Sequence, residues 1–470
     1  MSDRMRSEDA TGSFSDRRLP GSLICLVGIN YAPEPTGSAP YTTALAEMLV
    51  ANGAEVEVVT GVPHYPSWRV DPAYRWRLRA TETINGVRVL RARHAVPRRL
   101  TGLTRLLWDG TFVLNGGMVR PSRRPELVLA STPSIGAGLL GRRLADRYDV
   151  PFGIVVQDLL GRPVPHCGLE VGSPFATLVT RLEARVLRAA DVVAVTSDAF
   201  RDQVQACGVP AERIRELRNW AHLRPARRDR ATVRRELGWD DGTFVVLHTG
   251  TMGRKQDLGN VIEAAWAISA TADPGRGGTA AGDGGVLHRD RPGVSGRGGD
   301  DGSDRGDVRI VLMGDGSQHA ALAEEGRRIP SLEFRPPVPD DLYPDVLRAA
   351  DLLLVNERAV EAEPSLPSKL TSYLAAGRPV LAAVPATGAC TRELVATGGA
   401  ARRVEPGDPA ALAAAIRELQ RQPHVLAFMG RAAAGYARDV LNPADAERRV
   451  LDLAAELLLT GRVPVQDPVR

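Results

Sequence analysis

Lysine is almost absent from this chain. Of its 60 basic side chains only two are lysines, Lys255 and Lys369, and arginine carries positive charge everywhere else. An ammonium is a compact point charge on a flexible stem, whereas a guanidinium is a planar fork. The two lysines therefore mark places where a point charge is needed, as at a ligand phosphate. Cysteine is scarce too: Cys25, Cys167, Cys207 and Cys390 are scattered, with no C-x-x-C spacing. That excludes a disulfide framework and points to reduced thiols in a cytoplasmic protein. No apolar run approaches the ~20 residues that span a bilayer, and the polar start, Met1 to Pro20, is not a signal peptide. No Asp-x-Asp pair suited to a metal occurs. The adjacent pairs Asp240-Asp241, Asp300-Asp301 and Asp340-Asp341 stand at loops or helix starts, where carboxylates cap backbone N–H groups.

What is present belongs to a globular protein of two to three domains, 470 residues long with 43% apolar and 25% charged residues. The net charge of +4 is unevenly spread: Gly86 to Arg124 holds nine arginines and one acid, Asp109. No aromatic or glycine pattern of a nucleic-acid reader accompanies that stretch. It is expected to face anionic lipid or a lipid pyrophosphate, with no nucleic-acid partner. The segment 101–118 reads as a helix, either membrane-resting or an ordinary core helix.

Apolar runs of four to seven residues alternate with helical periods from Leu23 onward, which predicts parallel sheets built from βαβ units. Residues 1–20 are expected to be a disordered polar tail and 21–222 a first doubly wound domain. Leu223 to Arg230 reads as a linker, 223–430 as a second such domain, and 431–470 as closing helices. The stretch 271–307, crowded with Gly, Arg and Asp, is expected to be a disordered insertion. In such sheets ligands sit outside the carboxyl ends of the strands. Candidates there are Gly37 and Ser38 after the first strand, His64 in the next loop, and Gln157 and Asp158 after the strand 152–156. The rings of that second loop, Tyr65, Trp68, Tyr74 and Trp76, either stack on a sugar or membrane interface or pin the loop.

The second half converges on Leu352 to Ala383. An apolar strand leads into a loop punctuated by Pro364 and Pro367; Ser368 is the expected N-cap of a short helix carrying Lys369, and Gly377 closes it. A helix N-terminus with a lysine in its first turn suits a phosphate. Lys255 lies in a comparable loop, Gly250-Thr251-Met252-Gly253-Arg254-Lys255-Gln256, ahead of another helix.

This ordered set resembles the GT-B glycosyltransferases of family 4: Gly37-Ser38, the Gly250–Gln256 loop, Gly314-Asp315-Gly316-Ser317, the stretch 364–381 and the closing helix pair. Within that family it is most similar to the branch around colanic-acid and O-antigen synthesis. The resemblance covers roughly residues 22–460. It implies two facing Rossmann-like domains and retaining transfer of a sugar from a GDP- or UDP-linked donor without a metal or other cofactor. The acceptor it implies is a lipid-diphosphate-linked saccharide on the first domain, at the inner face of the cell membrane, and the last helices return to that domain. By matched position, the expected catalytic residues are Lys255, Lys369 and Asp158. Gly250, Thr251, Arg254, Gln256, Gly314, Asp315, Gly316, Pro367, Ser368, Leu370 and Ser372 are expected to bind donor, and Gly37, Ser38, His64 and Gln157 to contact acceptor or donor sugar. The pattern departs from the family in three places. The Glu-x7-Glu pair falls at Pro364 and Ser372, with Glu361 and Glu363 close by. The first phosphate-loop arginine falls at Thr251. Gln157-Asp158 stand where a histidine is usual. A degenerate, non-catalytic sugar-nucleotide binder and a sugar-nucleotide epimerase are the alternatives.

Overall fold

The computed structural model describes residues 19–35, 37–65, 67–98, 101–159, 174–272, 307–359 and 366–462. Outside them lie most of the expected tail and insertion, Glu361, Glu363, Pro364 and Cys167. The first half contains β1 (Leu23–Gly28), α1 (Ala39–Ala51), β2 (Glu55–Gly61), β3 (Arg79–Ile84), β4 (Val87–Ala92), α2 (Gly102–Gly116), β5 (Leu127–Ser131), α3 (Ile135–Tyr148), β6 (Phe152–Val156), α4 (Pro174–Arg188), β7 (Val192–Val195), α5 (Asp198–Ala206) and β8 (Ile214–Glu216). The second half contains α6 (Arg230–Glu236), β9 (Phe244–Thr249), α7 (Leu258–Ala272), β10 (Val308–Met313), α8 (His319–Gly326), β11 (Leu332–Arg335), α9 (Tyr343–Ala349), β12 (Leu352–Asn356), α10 (Ser368–Ala375), β13 (Val380–Ala383), α11 (Ala389–Ala396), β14 (Ala401–Val404), α12 (Pro409–Gln420), α13 (Pro423–Asp439) and α14 (Pro443–Thr460).

The apolar runs become two sheets because each is covered by helices on both faces, which leaves no solvent side to demand alternation. The first sheet runs β3-β4-β2-β1-β5-β6-β7-β8, parallel except where β3 turns back antiparallel on β4. The second runs β11-β10-β9-β12-β13-β14 and is parallel throughout. β3 escapes a periodicity reading because it is an edge strand of alternately exposed and half-buried residues. α6, in and just beyond the expected linker, is capped by Asp229, whose carboxylate accepts from Thr232 N at 2.9 Å.

Three expectations are corrected. Leu19, assigned to the tail, is buried in the first core beside Leu45 and Leu49, and Gly21 N donates to Gly53 O. Of the closing helices, only α14 returns. Ala433 and Tyr436 of α13 pack in the second domain's core, whereas Val450, Leu453 and Leu457 of α14 pack in the first. The chain crosses between them near Leu441, whose carbonyl accepts from Ala221 N. Finally, α2 is a core helix on one face only. Trp108 and Phe112 face the core with Arg105, Asp109 and Gly116, while Leu103, Leu107 and Leu114 stay exposed on the opposite side.

Candidate active site

Strand order in the second sheet reverses between β9 and β12, and a crevice opens at the carboxyl ends of such a pair. Three segments meet there. The loop after β9 lies on the turn after β10: Gly250 N donates to Met313 O, Met252 N to Asp315 O and Gln318 N to Met252 O. The approach is so close that a Cβ on Gly314 would stand 1.9 Å from Gly250 O, and one on Gly316 2.5 Å from Met252 O, both at positive φ. Only glycine fits such backbone contact. The same loop is tied to the end of β12. The Asn356 amide donates to Gln256 O and Asp257 O at 2.8 and 3.0 Å, and Arg358 N donates to Lys255 O. Lys255 thus sits in a short 3-10 turn, Arg254–Gln256, whose backbone is fixed by two strands.

Lys369 enters from α10. The N-cap is Pro367, one residue earlier than expected, and no side chain caps the helix; Ser368 is its exposed first residue. The proline ring fixes φ there at −61°, a value suited to helix entry. The Lys369 Nζ lies 3.0 Å from Nε2 of His248, at the end of β9. His248 is fully buried, and its Nδ1 lies 3.1 Å from Leu354 O. A carbonyl only accepts, so Nδ1 carries the proton and Nε2 offers a lone pair to the lysine. Burial pulls the Lys369 ammonium down to about 7; Glu357 opposes this and Lys255 adds to it. Burial, then Lys369, holds His248 well below the ordinary imidazole value. The chain's two lysines thus stand close enough to act on one another, at the edge of the same sheet.

Among the other expected donor residues, Gly250, Thr251, Arg254 and Ser368 are exposed around this crevice and Gln256 is half-buried. The Gln256 side chain accepts from Gly253 N at 3.2 Å, and the Asp315 carboxylate from Gly316 N at 2.7 Å. Leu370 is a correction: it is fully buried in the core, because the first turn of α10 faces β12 there. Ser372, expected to bind donor and standing where the resembled family has a glutamate, hydrogen-bonds Tyr343. Tyr343 reaches Thr249 Oγ1 at 2.9 Å, and Tyr373 accepts from Thr249 N at 2.8 Å.

Two matches decide what this architecture is. A glycosyl transferase 4-like domain profile matches residues 36–220, and a glycosyl transferases group 1 profile matches residues 300–422. The chain joins a glycosyl transferase 4-like domain to a glycosyl transferases group 1 domain on the GT-B fold. It is 29% identical over 408 residues to a protein of Escherichia coli K12 named for colanic acid biosynthesis as glycosyl transferase WcaI, covering 84% of this chain and 91% of that one. Its fold matches the sucrose-phosphate synthase of Thermosynechococcus elongatus, with a TM-score of 0.66 at 18% identity over 93% and 100% of the two chains. It also matches Anabaena HepE in complex with UDP-glucose, with a TM-score of 0.63 at 17% identity over 92% and 99%.

In this GT-B chain the first sheet presents its own residues. Gly37 is exposed at φ 73° and Ser38 precedes α1. Gln157 Oε1 accepts from Asn219 at 3.0 Å, and the Asp158 carboxylate from Leu159 N at 2.8 Å. His64 is corrected: its side chain has no exposure. Its Nδ1 lies 2.9 Å from Val62 O, its backbone N–H donates to Glu34, and its ring packs on His94, Trp68 and Trp108. His64 and Trp68 thus pin the loop, while Trp76 is 85% exposed. Glu393 joins the domains. It accepts from Tyr436 at 2.8 Å and from Arg218 at 3.2 Å.

His248 and Glu357 are the site residues the sequence hid. A lone histidine in an apolar strand, and an acid just past one, carry no motif. Only the sheet order puts them beside Lys369.

The His64–His94 pair has a consequence for stability. Burial, then His64, drops His94 to about 4, below the ordinary 6.5 of the unfolded chain. As pH falls from 6.5 towards 4 the unfolded chain binds a proton the folded one refuses, so stability is lost on acidification. The expected loss is about 3 kcal/mol at about 1.4 kcal/mol per unit. Urea midpoints at pH 7.5 and pH 4.5 should show a smaller difference in His94→Gln than in the wild type.

Proposed function

We propose that this glycosyltransferase moves a sugar, with retention and without a metal, from a UDP- or GDP-linked donor to a lipid-diphosphate-linked saccharide in surface polysaccharide synthesis. The observation that carries the reading is the meeting of the only two lysines at one crevice, one of them in the first turn of α10. Breaking a glycosyl–phosphate bond builds negative charge on the leaving diphosphate. Fixed cations and free helix N–H groups there stabilise the transition state more than the ground state. With the acceptor hydroxyl attacking from the leaving-group face, the departing phosphate takes its proton, so no protein base is needed. Two likenesses support the reading: WcaI is named for colanic acid biosynthesis, and HepE holds UDP-glucose. In this scheme Asp158 and Gln157 approach the sugar from the first sheet.

The acceptor side is a membrane surface in this reading. Leu103 and Leu114 of α2 are 71% and 66% exposed, and Trp76 and Leu78, just before β3, are exposed too. Arg93 links the two parts: its guanidinium donates to Tyr74 O at 3.2 Å, and its carbonyl accepts from Asn115 of α2. Arg75, Arg77 and Arg79, which alternate in sequence with Trp76 and Leu78, and Arg98, shortly before α2, are exposed as well. A helix with leucines on its exposed face, in a chain region rich in exposed arginines, suits the interface of an anionic lipid surface. The protein sits there as a cytoplasmic peripheral protein. No described helix is long and apolar enough to cross a membrane.

The test is release of UDP or GDP from sugar nucleotides, with and without bacterial lipid extract. Release that requires the extract supports transfer. A changed sugar nucleotide without any extract supports an epimerase. Binding without turnover in every extract supports a non-catalytic protein. Replacing Leu103, Leu107 and Leu114 together by serine should lower binding to phosphatidylglycerol vesicles at least about tenfold, since each leucine contributes roughly 1 kcal/mol or more. Unchanged vesicle binding contradicts the membrane assignment.

A further inference from the structure

We infer that His248 is a positioning residue for Lys369, fixing its amine where it meets the diphosphate of a bound nucleotide. The inference rests on the reading of this crevice as a diphosphate site and names what fixes the amine there.

The geometry fixes the roles. Leu354 O holds the Nδ1 proton of His248 at 3.1 Å, so the ring cannot turn over and its Nε2 is an acceptor 3.0 Å from Lys369 Nζ. An ammonium has three N–H donors. One is spent on the imidazole, which orients the other two. A Cβ placed on Gly250 would lie 3.7 Å from Nζ, so the amine lies against the exposed loop after β9, where side-chain-free backbone leaves room for a ligand. A neutral imidazole as the near partner differs from a carboxylate. It fixes the amine's position without supplying the charge that would keep it protonated.

The other charged and titratable groups come from each neighbouring element. Glu357 after β12 attracts the ammonium, and Lys255 in the 3-10 turn repels it. Cys390 of α11 is buried, under the influence of Glu357 and Lys255. Tyr373, one turn along α10, is tied to Thr249, and Tyr436 of α13, which packs on α10, is tied to Glu393. Burial leaves Lys369 near the point of losing its proton at neutral pH. A bound diphosphate adds two or more negative charges beside it and pushes it to the protonated side.

Because the chain has two lysines, protein labelled with 13C at the lysine ε-carbon gives two signals, and Lys369→Arg assigns them. In the wild type the Lys369 signal should titrate near pH 7, and saturating UDP or GDP should move its midpoint up by at least about one unit. In His248→Leu the free midpoint should fall, and nucleotide affinity at pH 8 should drop roughly tenfold, the effect of a charge-assisted hydrogen bond. His248→Gln, which restores an acceptor, should recover most of both. Should His248→Leu not fold, a His248→Gln midpoint like that of the wild type supports the role, and one more than a unit lower overturns it. Nucleotide shifts that are the same in wild type and His248→Leu overturn the role of His248 alone. Lysine signals that ignore both nucleotides overturn the diphosphate reading and the positioning role with it.

Discussion

Replacing Lys369 by methionine is expected to abolish turnover and yet stabilise the fold. Removing a preorganised charge donor at a developing oxyanion costs about 10²–10³ in rate, and Lys369 is the cation that the α10 N-terminus delivers to the crevice. The stability effect runs the other way because the folded protein resists the ammonium. Its fall from 10.5 to about 7 corresponds to a few kcal/mol at about 1.4 kcal/mol per unit. Methionine fills the same volume with no charge to desolvate. Glu357 loses its attraction to the ammonium, which offsets part of the gain, so the net is about 1–3 kcal/mol. Stability gained where activity is lost is what a strained functional residue gives. Denaturant midpoints and nucleotide release on the same preparation check both halves. A Lys369→Met protein that is destabilised and fully active contradicts the site.

The second large effect is expected at Gly314. A Cβ there would stand 1.9 Å from Gly250 O, and that loop is hydrogen-bonded to the ends of β10 and β12. It cannot retreat without breaking those bonds. Gly314→Ala should therefore cost about 3 kcal/mol or more, from overpacking together with a backbone conformation that side chains avoid. It should also displace the Lys255 turn and with it nucleotide binding. Gly259 of α7 is the control: nothing lies within 4 Å of its Cβ position, so Gly259→Ala should be neutral or stabilising by up to about 1 kcal/mol. Equal midpoints for the two variants would contradict the packing described for these loops.

The alternation of apolar runs with helical periods made both sheets legible, because the central strands are buried on both faces and the parallel crossovers carry helices. The lysines were legible for a different reason: in a chain that otherwise uses arginine, an exception is conspicuous. What stayed hidden depends on distant packing. His64 sits in a loop that looked open, but Glu34, His94 and Trp108 come from three other segments to bury it. Leu370 follows the site lysine in sequence yet points into the core, since a helix turns its side chains by about 100° per residue. α13 and α14 have similar amphipathic patterns, and nothing in either says which sheet it covers. Ser372 shows the limit of matching by position: its hydroxyl belongs to the Tyr343–Thr249–Tyr373 network, not visibly to a ribose.

The central claim is that Lys255 and Lys369 together hold a diphosphate. Calorimetric affinities for UDP against UMP, and GDP against GMP, test it most directly in the wild type and in the Lys255→Ala/Lys369→Ala protein. One nucleotide should gain at least about tenfold from its second phosphate in the wild type, as charge-assisted hydrogen bonds of about 1.5–3 kcal/mol imply. That gain should vanish in the double variant while monophosphate binding changes far less. A gain from the second phosphate that survives the loss of both lysines would contradict the account.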